Sequence, residues 1–203
     1  MNKIYLILLN IMKLIDFIII GLILFFTSFY IKEQFTEVGY IRSSIDNKKY
    51  LVRTEDDNKE AANLLATINM KLLKLIDILK REYPDDDRTK RVVKNYDPRA
   101  LSESDENNKY TSYSVNKGEK IVFCLRMRNK DNSLVDENTL TYVAIHELGH
   151  LATKEIGHLD VFWKNFKWLL EIATKNGIYN YVDYSKQPQP YCGLVISSNI
   201  LNN

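Results

Sequence analysis

Three histidines, all that the chain of 203 residues contains, lie within the segment from His146 to His158, which reads His-Glu-Leu-Gly-His-Leu-Ala-Thr-Lys-Glu-Ile-Gly-His. His146 and His150 are four positions apart. On a helix their imidazoles therefore lie on one face, one turn apart, which suits two ligands of one metal ion. Glu147 follows His146 directly, and its carboxylate is placed to accept a proton from a water on that metal. The spacing predicts metal-assisted hydrolysis.

Two other interpretations of this segment are an ordinary helix with surface histidines and a purely structural metal site. Structural zinc sites usually have four protein ligands, often cysteines. Cys124 and Cys192 are the only cysteines, and they lie far from the histidines in sequence and form no Cys-x-x-Cys pair. Three histidines without a neighbouring cysteine favour an open catalytic Zn²⁺ site with water in the fourth position. Manganese, cobalt or iron could also bind these ligands.

The third ligand is predicted to be His158, because it is the only other histidine and a link of seven residues lets it fold back towards His150. The alternative is Glu171, which lies twenty-one residues after His150 on the next predicted helix. Glu155 and Asp160 are weaker candidates.

The helix that carries the first two histidines is predicted to begin near residues 136–138, where polar side chains can cap it, and to end at about Ala152. Val143 and Ile145 flank the ligand face and are expected in the core. Gly149, inside the motif, costs about 1 kcal/mol relative to alanine. A close approach of another segment is expected to compensate for this cost.

A second helix is predicted to start after Gly157 and to run to about Lys175, where Asn176-Gly177 ends it. Its apolar face is expected to be core rather than substrate contacts. That face consists of Phe162, Trp163, Phe166, Leu169, Leu170 and Ile172.

Before the metal helix, residues 110–115 and 120–127 alternate around the turn Asn116-Lys117-Gly118, which is typical of a β-hairpin. The second of these strands, residues 121–126, is either a plain sheet strand or the edge of a cleft that binds an extended peptide. Cys124 in this strand is expected to be a buried packing residue rather than a nucleophile.

The scaffold is predicted from apolar periodicity. Residues 58–82 show a spacing of three and four, typical of a core-packing helix. Pro84 and the acidic run 85–87 end it, and this run is expected to be a solvated loop rather than a calcium site. Residues 85–110 are expected to be irregular, with a short apolar element at residues 92–93. A first strand is predicted near residues 49–53.

The N-terminal segment is apolar over residues 14–31 except for Asp16 and a few small residues. Eighteen residues of helix rise about 27 Å, close to the hydrocarbon thickness of a bilayer. The alternative is a cleaved signal peptide, but no small-residue cleavage site follows Ile31. An uncleaved single-span anchor is therefore predicted, and Met12 is a possible start. The predicted domains are the anchor (1–31), a tether (32–56) and a catalytic domain (57–203).

The net charge of +2 gives no clear nucleic-acid signal. Two cysteines argue against a disulfide scaffold and permit a reducing compartment.

The positive-inside rule favours a cytoplasmic catalytic domain. This prediction counts Lys3 and Lys13 before the span against Lys32, Arg42, Lys48 and Lys49 after it.

The combination of His-Glu-Leu-Gly-His with Gly157-His158-x-x-x-Phe162 resembles the WLM and SprT-like zinc metallopeptidases. Residues 181–185 and 191–193 look like the tail of uncharacterised WLM-like proteins of large DNA viruses. The resemblance covers about residues 100–198. Those families are best known for cleaving DNA–protein crosslinks and are not usually membrane-anchored, so the anchor and the near-neutral charge argue against a role on DNA for this chain.

The resemblance implies an α+β zincin-type domain in which His146, His150 and His158 bind zinc and Glu147 is the general base. The expected function is a membrane-anchored peptidase acting on a peptide or protein. An idle zincin that serves as a membrane-tethered binding module and a DNA–protein crosslink protease are the alternatives. A phenol near the site could stabilise the oxyanion, and the candidates are Tyr181, Tyr184 and Tyr191.

Overall fold

The computed structural model of the chain describes residues 3–34, 38–106, 110–128 and 131–201. It divides into two compact units, Met1–Glu37 and Val38–Asn203. The described residues of the first unit form one helix, α1 (Lys3–Gln34). Its side chains from Ile11 to Ser28 are exposed, and this stretch is long and apolar enough to cross a membrane.

The strands described in the second unit are β1 (Val38–Arg42), β2 (Lys49–Arg53), β3 (Leu101–Glu103), β4 (Ser112–Val115), β5 (Lys120–Phe123), β6 (Gln189–Tyr191) and β7 (Leu194–Ile196). Five of them form a mixed sheet in the order β1-β2-β3-β5-β4. The outer pairs β1–β2 and β4–β5 are antiparallel, and β3 lies parallel to both β2 and β5. A separate antiparallel hairpin, β6–β7, lies near the C-terminus.

Two of the four helices described in this unit pack on the sheet, and the other two pack on those helices. The described residues therefore form five helices and a mixed sheet, which confirms the α+β class. The helices of the second unit are α2 (Asn58–Glu82), α3 (Asp87–Asn95), α4 (Glu137–Ala152) and α5 (Asp160–Lys175). The α2 helix spans the predicted residues. Its apolar stripe, which includes Leu65, Leu72 and Leu79, is fully buried, because residues at this spacing share the face that meets the sheet and α4.

The prediction that residues 85–110 are irregular is wrong in two places, because α3 forms around the predicted apolar element at residues 92–93 and β3 forms at Leu101–Glu103. Asp86 caps this helix by accepting a hydrogen bond from the Arg88 amide at 2.8 Å. Val92 is fully buried, and the Arg88 guanidinium lies 3.7 Å from the ring centroid of Trp168 on α5. A cap and two tertiary contacts stabilise a helix whose composition is mostly polar.

The tether predicted for residues 32–56 is also corrected in part. Residues 38–53 form the β1–β2 hairpin, and Tyr50 and Val52 of β2 are buried in the core. Residues 35–37 of the predicted tether lie outside the described residues. The boundary of the second unit therefore falls at Val38 rather than at residue 57, because β2 pairs with β3 and belongs to the same sheet.

A disulfide joins Cys124, just after β5, to Cys192 at the tip of the β6–β7 hairpin. Cys124 is buried as predicted, and its pairing with Cys192 is a single cross-link that the sequence analysis does not predict. Their Cα atoms are 6.3 Å apart although the residues are separated by 68 positions. Cys192 and Gly193 adopt positive φ values of 48° and 84°, which make the tight two-residue turn that brings the sulfur to β5.

Candidate metal centre

The helix α4 positions the first two histidines. Asp136 caps its first turn by accepting a hydrogen bond from the Thr139 amide at 3.0 Å, as the polar cluster predicted. Residues on both sides of the ligand face, including Val143 and Ile145, are buried. Because they are four positions apart on this helix, the rings of His146 and His150 lie on one face with their centroids 5.1 Å apart.

The segment between α4 and α5 brings His158 to this pair. The Nε2 atoms of His146 and His158 are 2.9 Å apart, and the ligand atoms of the three histidines all lie within 4.8 Å of one another. Within the described ranges, no aspartate or glutamate joins this cluster. Glu171, the alternative ligand, is exposed on α5. The arrangement of three imidazoles can hold one metal ion.

Aromatic residues of α5 pack behind the histidines. The ring of Phe162 stacks on His150 with centroids 4.3 Å apart, and Trp163 stacks on His158 at 5.4 Å. Phe162 and Phe166 are fully buried, as predicted, whereas Trp163 is 38% exposed and is therefore not a core residue. The stacking restricts the imidazole orientations.

Gly149 allows this packing. A Cβ at this position would lie 3.2 Å from Phe162 Cε2 and 3.4 Å from Phe166 Cβ. The close approach expected from a glycine within the motif is thus provided by α5. Gly149 lowers the helix propensity of α4, but it lets the rings of Phe162 and Phe166 pack against the histidine face, and this packing offsets the cost.

His146 and His150, which are half-buried, favour their neutral forms. Burial, together with the neighbouring histidines, lowers the pKa of His146 to about 3. Burial, with His158 and Lys117 nearby, lowers the pKa of His150 to about 4. Both imidazoles are therefore uncharged at neutral pH, which is the state that binds a metal ion.

Glu147 is only 3% exposed, and its Oε2 atom has no hydrogen-bond partner among the described protein atoms. Burial raises the pKa of this carboxyl group to about 8. A buried carboxyl oxygen without a partner is costly and indicates a group that is missing from the protein itself, such as a water on a metal ion. Its position beside the three histidines fits the predicted open metal site.

A cavity of about 620 Å³ opens over these residues. Its walls are the strand β4, through Ser112, Tyr113 and Ser114, and the segment from Glu155 to His158. We predicted β5 as a possible cleft edge, but β5 pairs on both sides, with β3 and β4. The outermost strand on this side is β4, so β4 rather than β5 is the sheet edge beside the histidines.

None of the three tyrosines considered as oxyanion donors lines this cavity in the part of the chain that the structure describes. Tyr191 is buried, and its hydroxyl donates to the Cys124 carbonyl at 3.1 Å and lies 2.6 Å from Ser112 Oγ. Tyr184 is buried with its ring centroid 5.0 Å from that of Tyr142. Tyr181 is half-exposed and accepts a hydrogen bond from Asn199. Tyr113, which sequence reasoning passed over, does line the cavity.

Comparison with known proteins gives viral relatives. The chain is 36% identical over 183 residues to the uncharacterised protein R325 of Acanthamoeba polyphaga mimivirus, an alignment that covers 88% of this chain and 91% of R325. Shorter matches are the uncharacterised proteins 136R of Invertebrate iridescent virus 6, 34% identical over 70 residues, and 042R of Invertebrate iridescent virus 3, 36% identical over 69 residues. Each covers 34% of this chain, with 39% of 136R and 42% of 042R. No family model and no solved structure matches the chain.

Proposed function

We propose a function for this chain, which belongs to the viral protein family of mimivirus R325: it is a membrane-anchored, zinc-dependent peptidase of the WLM and SprT-like zincin type. One observation carries the proposal. His146, His150 and His158 converge beside Glu147 in the lining of an open cavity. The buried Oε2 atom of Glu147 has no hydrogen-bond partner among the described residues. Structural zinc sites are usually closed by a fourth protein ligand.

Zinc at three imidazoles would lower the pKa of a ligated water and polarise a substrate carbonyl. The protein's own part in the reaction falls mainly to Glu147. Burial raises the pKa of its carboxyl group in the metal-free protein. A divalent cation at the neighbouring histidines would favour the ionised carboxylate, which is the form that accepts a proton. Glu147 accepts a proton from the attacking water and delivers it to the leaving amine as the peptide bond breaks.

The strand β4 provides the place for the substrate. As the outermost strand of the sheet, it has one side that is not paired within the sheet. An extended peptide can add to such an edge through main-chain hydrogen bonds. Since β4 and the histidines line the same cavity, a peptide on this edge would pass directly over Glu147.

We further propose that α1 anchors the protein and that the second unit faces an oxidising compartment rather than the cytoplasm. Of the basic residues counted for the cytoplasmic prediction, Arg42, Lys48 and Lys49 belong to the folded β1–β2 hairpin. Folded domains cross membranes largely regardless of such charges. The disulfide between Cys124 and Cys192 favours the oxidising side, because disulfides are rare in the cytosol.

The test is zinc content and casein cleavage by the full chain in detergent, beside Glu147→Gln and His158→Ala. We expect about one zinc ion per chain and cleavage in the wild type. Glu147→Gln should keep the zinc and lose cleavage, whereas His158→Ala should lose the zinc. A wild-type protein that binds zinc but cleaves no substrate would favour the binding module instead.

A further inference from the structure

The segment from Lys154 to Asp160 carries the third histidine but is exposed at every residue. Its start is well held, since the Thr153 hydroxyl donates to the Gly149 carbonyl and accepts a hydrogen bond from Asn165. Beyond Thr153, the backbone–backbone hydrogen bonds found outside helices and strands in the described residues reach this segment only at the Leu159 carbonyl, which accepts from the Phe162 and Trp163 amides. His158 therefore depends on a different kind of support from His146 and His150, which stand on a buried helix.

One side chain from the β4–β5 turn reaches this segment. The Lys117 ammonium donates to three successive carbonyl oxygens, those of Thr153, Lys154 and Glu155, at 2.5, 2.7 and 3.0 Å. In the described part of the chain, no backbone amide outside the helices and strands donates to the Lys154 or Glu155 carbonyl, and the Lys117 ammonium supplies a hydrogen bond to each. An ammonium has three donors, so the three acceptors match it fully.

The backbone at Lys117 is unfavourable for a lysine. Its φ is 57°, in the left-handed region that glycine and asparagine adopt most readily. The residue before it, Asn116, also has positive φ, at 46°. Residues held in such conformations cluster where their side chains are needed. A lysine here indicates that its contact with the segment outweighs the backbone cost.

The turn that carries Lys117 packs closely against two helices, α3 and α4. At Gly118, with φ of 116°, an added Cβ would lie 2.3 Å from the Asn95 carbonyl oxygen and 3.1 Å from Leu151 Cδ2. The turn is thus pressed against the end of α3 and against α4, the helix of the first two histidines. Lys117 reaches from this support to the backbone that leads to His158.

We propose that Lys117 is a positioning residue for the third metal ligand: its three hydrogen bonds hold the 153–155 backbone so that His158 meets His146 and His150. The inference rests on the proposed metal function. Groups that orient metal ligands typically change metal affinity about 10- to 100-fold when they are removed. We therefore expect Lys117→Met to weaken zinc binding by about 10- to 100-fold.

The direction of the change in zinc affinity distinguishes a positioning role of Lys117 from an effect of its charge. Removing a positive charge near a metal site would by itself strengthen the binding of a cation. Loss of the hydrogen bonds weakens it. Lys154→Met removes a neighbouring, exposed side-chain charge but keeps the Lys154 carbonyl, so it is the matched control and should bind zinc at least as tightly as the wild type.

The experiment measures zinc affinity of the full chain in detergent by competition with a chelator. Lys117→Met is compared with Lys117→Gly, which removes the ammonium while relieving the left-handed backbone. Both should lose affinity. In a His158→Ala background, Lys117→Met should change the remaining affinity by less than about twofold, because the two residues act through one ligand. Wild-type affinity in both single variants, or a full additional loss in the His158→Ala background, would overturn the proposal.

Failure of the proposed metal function can be told apart from failure of the proposed Lys117 contact. If the wild-type protein binds no zinc, the proposed metal centre is wrong, and Lys117 cannot position a metal ligand. Amide hydrogen exchange of residues 154–158 in the zinc-free protein then shows whether Lys117 holds the segment at all. Faster exchange in Lys117→Met than in Lys154→Met would support the contact, and equal exchange would contradict it.

Discussion

His146 Nε2 lies 2.9 Å from His158 Nε2, although twelve positions separate the two residues and they stand on different elements. The first prediction tests this relationship. His158→Ala should abolish tight zinc binding, because two imidazoles on one helix leave the site a ligand short. Zinc content after dialysis and a chelator titration measure the effect.

The matched control for the third ligand is Glu171→Ala, which removes the exposed carboxylate that sequence spacing also allowed. Its zinc content should equal that of the wild type. The opposite pattern, with zinc kept by His158→Ala and lost by Glu171→Ala, would show that the helix-borne carboxylate is the ligand.

A second prediction concerns pH and Glu147 in the zinc-free protein. Its folded-state pKa is raised to about 8 from an ordinary value of 4.5. Between these values the unfolded chain is ionised and the folded protein holds the proton, so stability falls by about 1.4 kcal/mol per pH unit as pH rises. Glu147→Gln lacks this dependence. The melting temperature of Glu147→Gln minus that of the wild type should therefore increase from pH 5 to pH 8.

His146 and His150 act with the opposite sign, since their folded-state pKa values are lowered to about 3 and about 4. Their contribution is present above the unfolded value of 6.5 and is lost as pH falls below it. Because wild type and Glu147→Gln share these histidines, the difference between the two proteins isolates Glu147. An identical difference at pH 5 and pH 8 would contradict a raised pKa.

A third prediction concerns Gly118 in the turn that carries Lys117. Gly118→Ala should destabilise the protein by about 3 kcal/mol or more, because the methyl group meets a backbone carbonyl and φ is positive. Gly177→Ala is the control, since its φ is also positive, at 62°, but nothing lies within 4 Å of the added atom. It should cost about 1 kcal/mol. Urea unfolding of both variants measures the difference, and equal costs would show that the turn can move away from α3.

A fourth prediction concerns the disulfide. Cross-linking residues 68 positions apart should stabilise the oxidised protein by about 4 kcal/mol through the entropy of the unfolded chain. Reductant should therefore lower the urea midpoint of the wild type. A double variant, Cys124→Ala with Cys192→Ala, should be less stable and insensitive to reductant. A wild type with the same midpoint in both conditions would mean that the bond does not form.

A fifth prediction concerns the side of the membrane. The natural chain contains no Asn-x-Ser/Thr acceptor, but Lys49→Thr converts the exposed stretch Asn47-Lys48-Lys49 into one. If the second unit faces an oxidising lumen, this variant should acquire a glycan in eukaryotic cells, seen as a glycosidase-sensitive gain in mass. Lys49→Ala should not. An unmodified Lys49→Thr variant would favour the cytoplasmic side predicted from charge.

Local patterns in the sequence were enough for several elements. The spacing of apolar residues predicted α2 because a helix repeats every 3.6 residues whatever surrounds it. Asp136 marked the start of α4 because capping depends on a side chain and an amide three residues away. The helix α3 was missed because its stability comes from contacts with α5 and the core rather than from its own composition.

By itself, the sequence determined that His146 and His150 share one helix face with Glu147 beside them, since four positions make about one helical turn. Only the tertiary structure decided that His158 completes the cluster, that β4 rather than β5 is the edge of the cavity, that Lys117 holds the 153–155 backbone and that Cys124 pairs with Cys192. These relationships join residues far apart in the chain. They depend on how whole elements pack against each other, and no local periodicity records that packing.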